Sequence, residues 1–187
     1  MAYPAQVEAL VQKGWLWQGQ TPPPTHTPPQ FTATGWPELD AQLGGGWLQG
    51  SVNELQVQHA FVGELALLLP VLQQARHATV WLNPPAQPYA PGLLYQQVNL
   101  AQQVVVQEAE PQLALWAAEQ ALQSEAVQVL LMWSSHLAAT HVRRLQQAAQ
   151  AHQKLAFVLT PWQGSEEARA YVNRLQLIRS EQLQVRV

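Results

Sequence analysis

The chain contains no cysteine, which excludes disulfides and thiolate metal sites. Charge is scarce as well: Asp, Glu, Lys and Arg make up 11% of 187 residues, and the formal net charge is −3. The nine Lys and Arg are scattered, with Arg143-Arg144 the one adjacent pair. On a helix two such neighbours point about 100° apart, so they form no basic track. Nucleic-acid affinity comes largely from neutralised phosphates, and no direct nucleic-acid partner is expected. The longest apolar stretch, Leu65 to Leu72, is too short to cross a bilayer. MAYPAQVEAL lacks the basic and apolar regions of a secretory signal, so no membrane association and a cytoplasmic location are expected.

Groups able to do chemistry are few. Asp40 is the only Asp, and the six His (26, 59, 77, 136, 141 and 152) show no HExxH spacing. No metal site is expected. Ser134-Ser135 beside His136 lie outside any G-x-S-x-G elbow, so helix capping is their expected role. Glu108 and Glu110 resemble helix-start acids, which the helix dipole favours. The chain reads as a non-enzyme without cofactor.

What the sequence does hold is alternation. Residues 4–13 are expected to form a short amphipathic helix, Trp15 and Trp17 follow, and TPPPTHTPPQ at 21–30 is expected to be a semi-rigid connector. This sets a boundary between a 1–30 arm and a 31–187 domain. The apolar arm can pack on its own core or on a second copy, so a homodimer is left open. Thr34 is expected to cap a helix through WPELDAQL that stops at Gly44-Gly45-Gly46. Strands are expected at 51–57, 78–82, 103–107, 127–133, 154–159, 171–179 and 182–187. Helices are expected at 63–75, 92–98, 111–123 and 137–151, with Pro111 opening the third at its first position. Such alternation predicts an α/β fold with a mainly parallel sheet, closed at one edge by a C-terminal antiparallel hairpin turning near Ser180-Glu181.

Ser51 to Leu69, SVNELQVQHAFVGELALLL, has the strand–loop–helix layout of a phosphate-binding loop. A working loop needs G-x-x-x-x-G-K-[ST] to bring backbone N–H groups, a lysine and a metal-holding hydroxyl to the phosphates. Gly63 matches the second glycine, but Gln58 replaces the first, Glu64 the lysine and Leu65 the hydroxyl. A carboxylate in the place meant for phosphate reverses the sign of the central interaction. VQVLLMW at 127–133 is a buried strand whose end would hold a metal-binding Asp in nucleotide hydrolases of this architecture. Trp133 stands there instead, and an indole cannot ligate Mg²⁺. The alternative is an ordinary βα unit that never bound nucleotide.

TGWPELDAQLGGGWLQGSVNEL, Thr34 to Leu55, resembles the opening of RecA-like cores, and ELALLLPVLQQ, VWLNPPAQPYAP and LALWAAEQAL resemble the SulA/ImuA family of the bacterial SOS response. The resemblance runs from about Gly14 to Pro161. It implies a RecA-like three-layer core with a degenerate phosphate loop. SulA-type members are cell division inhibitors that bind FtsZ, block its polymerisation and so suppress its GTP turnover. ImuA-type members assist mutagenic translesion synthesis alongside RecA and a polymerase-like partner. LGGGW, PPAQPYAP and LWAAEQAL look more like ImuA. The length, the acidic balance and ELALLLPVLQQ…VWLNPP look more like SulA.

The SulA-type contact segment, transferred by position, points to Arg76, Trp81, Leu82 and a helix beginning near Leu93 as partner-binding. The spacer before Trp81 is shorter than in SulA, a Trp near Leu93 is absent, and an expected Lys near Gln102 is an amide. The residues themselves allow a second reading, with Trp81 and Leu82 as core positions facing opposite sides of the sheet. Tyr89 and Leu94, beside a Pro-rich loop, are then the better exposed candidates.

Overall fold

The computed structural model describes residues 28–60, 63–135, 137–162, 169–179 and 183–187. The expected N-terminal helix, Trp15 and Trp17, His136 and the turn at Ser180-Glu181 lie outside these residues. The sheet strands are β3 (Ser51–Val57), β4 (Ala78–Leu82), β5 (Gln103–Val106), β6 (Val127–Trp133), β7 (Leu155–Pro161), β8 (Asn173–Arg179) and β9 (Leu183–Arg186). They form one seven-stranded sheet in the order β5-β4-β6-β7-β3-β8-β9. All neighbours are parallel except β8 and β9, whose antiparallel pairing makes the edge hairpin. The arrangement is consistent with a RecA-like three-layer core.

Helices α1 (Pro37–Gln42), α2 (Glu64–Gln74), α3 (Ala90–Tyr95), α4 (Pro111–Gln123) and α5 (Ala139–His152) divide between the two faces. On the first face Leu67, Leu68, Val71 and Leu72 of α2 and Leu93 of α3 pack on Leu55, Leu131, Phe157 and Leu159. Trp47 joins them with its ring edge-on to Phe157, centroids 4.9 Å apart. On the second face Leu115, Ala118 and Leu122 of α4 and Val142, Leu145 and Ala149 of α5 cover Val52, Leu130 and Val158. The central strands are therefore apolar in both directions, which is why VQVLLMW and LAFVLT read as continuous runs rather than alternations.

Two local expectations are corrected. Thr34 does not cap the WPELDAQL helix: its Oγ1 accepts from Trp36 N–H and donates to Trp36 O, both at 3.1 Å, and Trp36 is the N-cap before Pro37. Asp40 returns from the helix to accept Thr34 N–H at 2.8 Å. Nor do Ser134 and Ser135 cap α5, whose N-cap is Ala138 with no side-chain cap bond. The structure adds a two-stranded antiparallel pair that sequence periodicity did not signal, β1 (Phe31–Thr32) with β2 (Trp47–Leu48). It is closed by the triple glycine. Gly46 has φ +113°, and a Cβ there would meet Thr32 O at 2.5 Å, so the tight return admits only glycine.

Candidate functional site

The segment that resembles a degenerate phosphate loop leads from β3 to α2. Gly63 is the N-cap of α2 and takes φ 113°, a left-handed conformation open to glycine. Its N–H donates to Glu64 Oε2 at 3.0 Å, and Glu64 is 2% exposed. The carboxylate thus folds back onto the positive end of its own helix, using an amide that a phosphate would use in a working loop. Leu65, in place of the hydroxyl, is partly buried against the α2 core. Gln58 is exposed. The loop end has its own built-in anion.

The end of β6, where nucleotide hydrolases of such architecture carry a metal-binding Asp, holds Trp133. Trp133 ends β6, one strand away from β3 across β7, and its ring stacks on Trp81 of β4 with centroids 5.9 Å apart and planes 11° from parallel. Trp81 Nε1 donates to Gln103 Oε1 at 2.9 Å, which ties the pair to β5. Among the described residues no three His, Asp or Glu side chains come together to hold a metal ion.

Next to the loop strand sits a polar cluster that the sequence reading did not single out. Glu54, in the middle of β3, is buried. It accepts Arg174 Nε at 2.6 Å and Gln56 Nε2 at 3.1 Å on Oε2, and Thr160 Oγ1 at 3.2 Å on Oε1. The signal was present: an acid inside SVNEL, a strand otherwise buried on both sides, must find partners. Tyr171 packs beside it, and burial first, then the Glu54 charge, pushes its hydroxyl from 10.0 up to about 12. Between those values the unfolded chain loses the phenolic proton while the folded chain keeps it, so stability falls as pH rises through that window. Tyr171→Phe is expected to flatten the fall, as read by urea unfolding at stepped alkaline pH. An unchanged slope in the variant would refute the assignment.

The partner-facing expectations separate by burial. Trp81 and Leu82 are 1% and 0% exposed, one in each core layer, and Leu93 is buried against α2. Their side chains belong to the interior, which corrects the transferred contact set at those three positions. A central strand with helices on both faces leaves none of its side chains at the surface. Arg76 is exposed, while its backbone N–H and C=O are held by Gln128 and Gln102. Tyr89 and Leu94 are 74% and 63% exposed, and Tyr95 beside them more so. Gln73 Nε2 donates to Gln96 O at 2.7 Å, drawing the end of α3 towards the end of α2 and so towards Arg76. Trp116 of α4 is also exposed. Its off-stripe position was readable, because Leu115, Ala118 and Leu122 mark the buried face.

No protein-family model matches the chain, and no curated protein matches its sequence. Among the described residues no helix is long and apolar enough to cross a membrane.

Proposed function

We propose that this chain is a RecA-like scaffold that works by protein contact rather than by nucleotide turnover, in the manner of a SulA-type inhibitor that binds FtsZ and blocks its polymerisation. The observation that supports it most is the Glu64 carboxylate on the Gly63 amide, at the helix start where a nucleotide's phosphates would need to bind. Two anions cannot share that position without a cation between them. The choice of FtsZ rests on the motifs ELALLLPVLQQ and VWLNPP. The exposed residues proposed for this contact are Arg76, Tyr89, Leu94 and Tyr95, since these side chains are not in use by the core.

Purified protein is expected to lower FtsZ GTP turnover near one-to-one amounts, because sequestration is stoichiometric. Tyr89→Ala or Leu94→Ala should weaken that inhibition by about thirtyfold, the equivalent of ~2 kcal/mol for an interface anchor. Their melting temperatures should stay near that of the unmodified chain. Unchanged FtsZ turnover at excess protein would reject the division-inhibitor reading.

A second reading, an ImuA-type adaptor of translesion synthesis, is favoured by one observation. The segments PPAQPYAP and LWAAEQAL, where the resemblance to ImuA lies, present Tyr89 and Trp116 to solvent. In that case RecA or a polymerase-like partner is retained on the immobilised chain and FtsZ turnover is unaffected.

A further inference from the structure

On the face of the sheet away from the phosphate-loop helix, α4 and α5 part over the carboxyl ends of β4 and β6. They leave an open cleft of about 660 Å³. The chain leaves β4 for α3 on one face and leaves β6 for α5 on the other. These neighbouring strands therefore flank a topological switch point, the place where open α/β sheets take ligands. The volume also falls in the range of ligand sites.

The lining sets the chemistry. Leu115, Met132 and Leu137 give an apolar floor, and the indole of Trp116, 59% exposed, stands among the lining side chains. Glu119 is buried; its Oε2 accepts Arg144 Nη2 at 2.7 Å. Its Oε1 is shielded from water and has no hydrogen-bond partner among the described residues. A shielded carboxylate oxygen without a donor is an unmet demand. Asn83 does not meet it, since its amide is spent on the backbone of Glu108. Glu108 and Glu119 line the cleft together with Arg144 and His141, so with a neutral imidazole the lining's formal charge is negative and favours a cation. Arg144 is the exposed half of its pair, with 60% of its side chain in solvent, and a second donor to the shielded Oε1 requires it to shift.

We propose that this cleft binds one arginine or lysine side chain of a protein partner. The cationic N–H group reaches Glu119 Oε1, the aliphatic stem lies on Leu115 and Leu137, and the charge approaches the Trp116 ring. This deepens the reading that the chain works by protein contact, yet its test does not depend on FtsZ.

The probes are N-acetyl-arginine amide, its uncharged isostere N-acetyl-citrulline amide, and butylguanidinium, a monocation that has the guanidinium and stem without peptide groups. Binding is read from the indole N–H resonances of Trp116 and Trp133. The arginine amide is expected to shift them saturably and to bind at least about tenfold tighter than the citrulline amide, because its hydrogen bond to the carboxylate is charge-assisted. Glu119→Gln should abolish that preference, and Trp116→Leu, a surface change that spares the fold, should weaken the arginine amide alone. No saturable shift, equal binding of the citrulline amide, or an undiminished preference in both variants would overturn the proposal. Tighter binding of butylguanidinium than of the blocked arginine would overturn the protein source.

Discussion

Arg174→Met is expected to destabilise the fold by about 3 kcal/mol, the low end for removing one partner of a buried ion pair. Glu54 is the reason. Its side chain is 2% exposed against 29% for Arg174, so the arginine can do without its partner far better than the carboxylate can. Left behind, the Glu54 carboxylate would keep Thr160 and Gln56 as donors but lose the guanidinium bonded to it, with Arg169, which lines the same polar pocket, as the positive charge left nearby. The partial exposure of Arg174 is what holds the figure at the low end. Adding Glu54→Gln removes the stranded charge, so the double variant should recover a good part of the loss. Urea unfolding of the single and double variants measures both. A single variant within ~0.5 kcal/mol of the starting protein would mean that the pair is solvated and contributes little.

Trp81→Ala is the second large effect, at about 3–5 kcal/mol for removing a fully buried aromatic. The indole fills the layer between β4 and α2, stacks on Trp133 and donates to Gln103. Without it Trp133 loses one face of its packing and Gln103 an ordered partner. Tyr89→Ala, eight residues later, should cost less than ~0.5 kcal/mol because most of its ring is already in water. Thermal unfolding of the two variants side by side tests the assignment of Trp81 to the core and Tyr89 to the surface. Similar losses in both would contradict it. Any loss of partner binding in Trp81→Ala would then follow from unfolding, not from a missing contact.

Much of the fold was readable because the informative segments are long and uniform. β3, β4, β6 and α4 begin and end where their apolar patterns and Pro111 place them. The β1–β2 pair was not readable: two residues per strand carry no period, and the pairing depends on Gly44-Gly45-Gly46 turning the chain back. Thr34 has the residue type of a cap but spends its hydroxyl on Trp36, a choice set by where Asp40 returns. At the site, a carboxylate at Glu64, where a working phosphate loop would carry lysine, was visible in sequence, while the bond to Gly63 N–H depends on that glycine's left-handed φ. Core positions for Trp81 and Leu82 were one reading of the residues themselves, and the transferred contact set, with Leu93 in it, was what misled. Transfer by position preserves residue order, whereas exposure depends on which strand ends up flanked by helices on both faces.

The claim that Glu64 fills the anion site is tested most directly by calorimetric titration of the purified chain with MgATP and MgADP. The expected result is no saturable heat up to about 1 mM nucleotide, a concentration at which half-saturation would mean only ~4 kcal/mol of binding. Saturable binding in the micromolar range, abolished by a bulky substitution at Gly63, would show the loop to be a working nucleotide site and contradict the account.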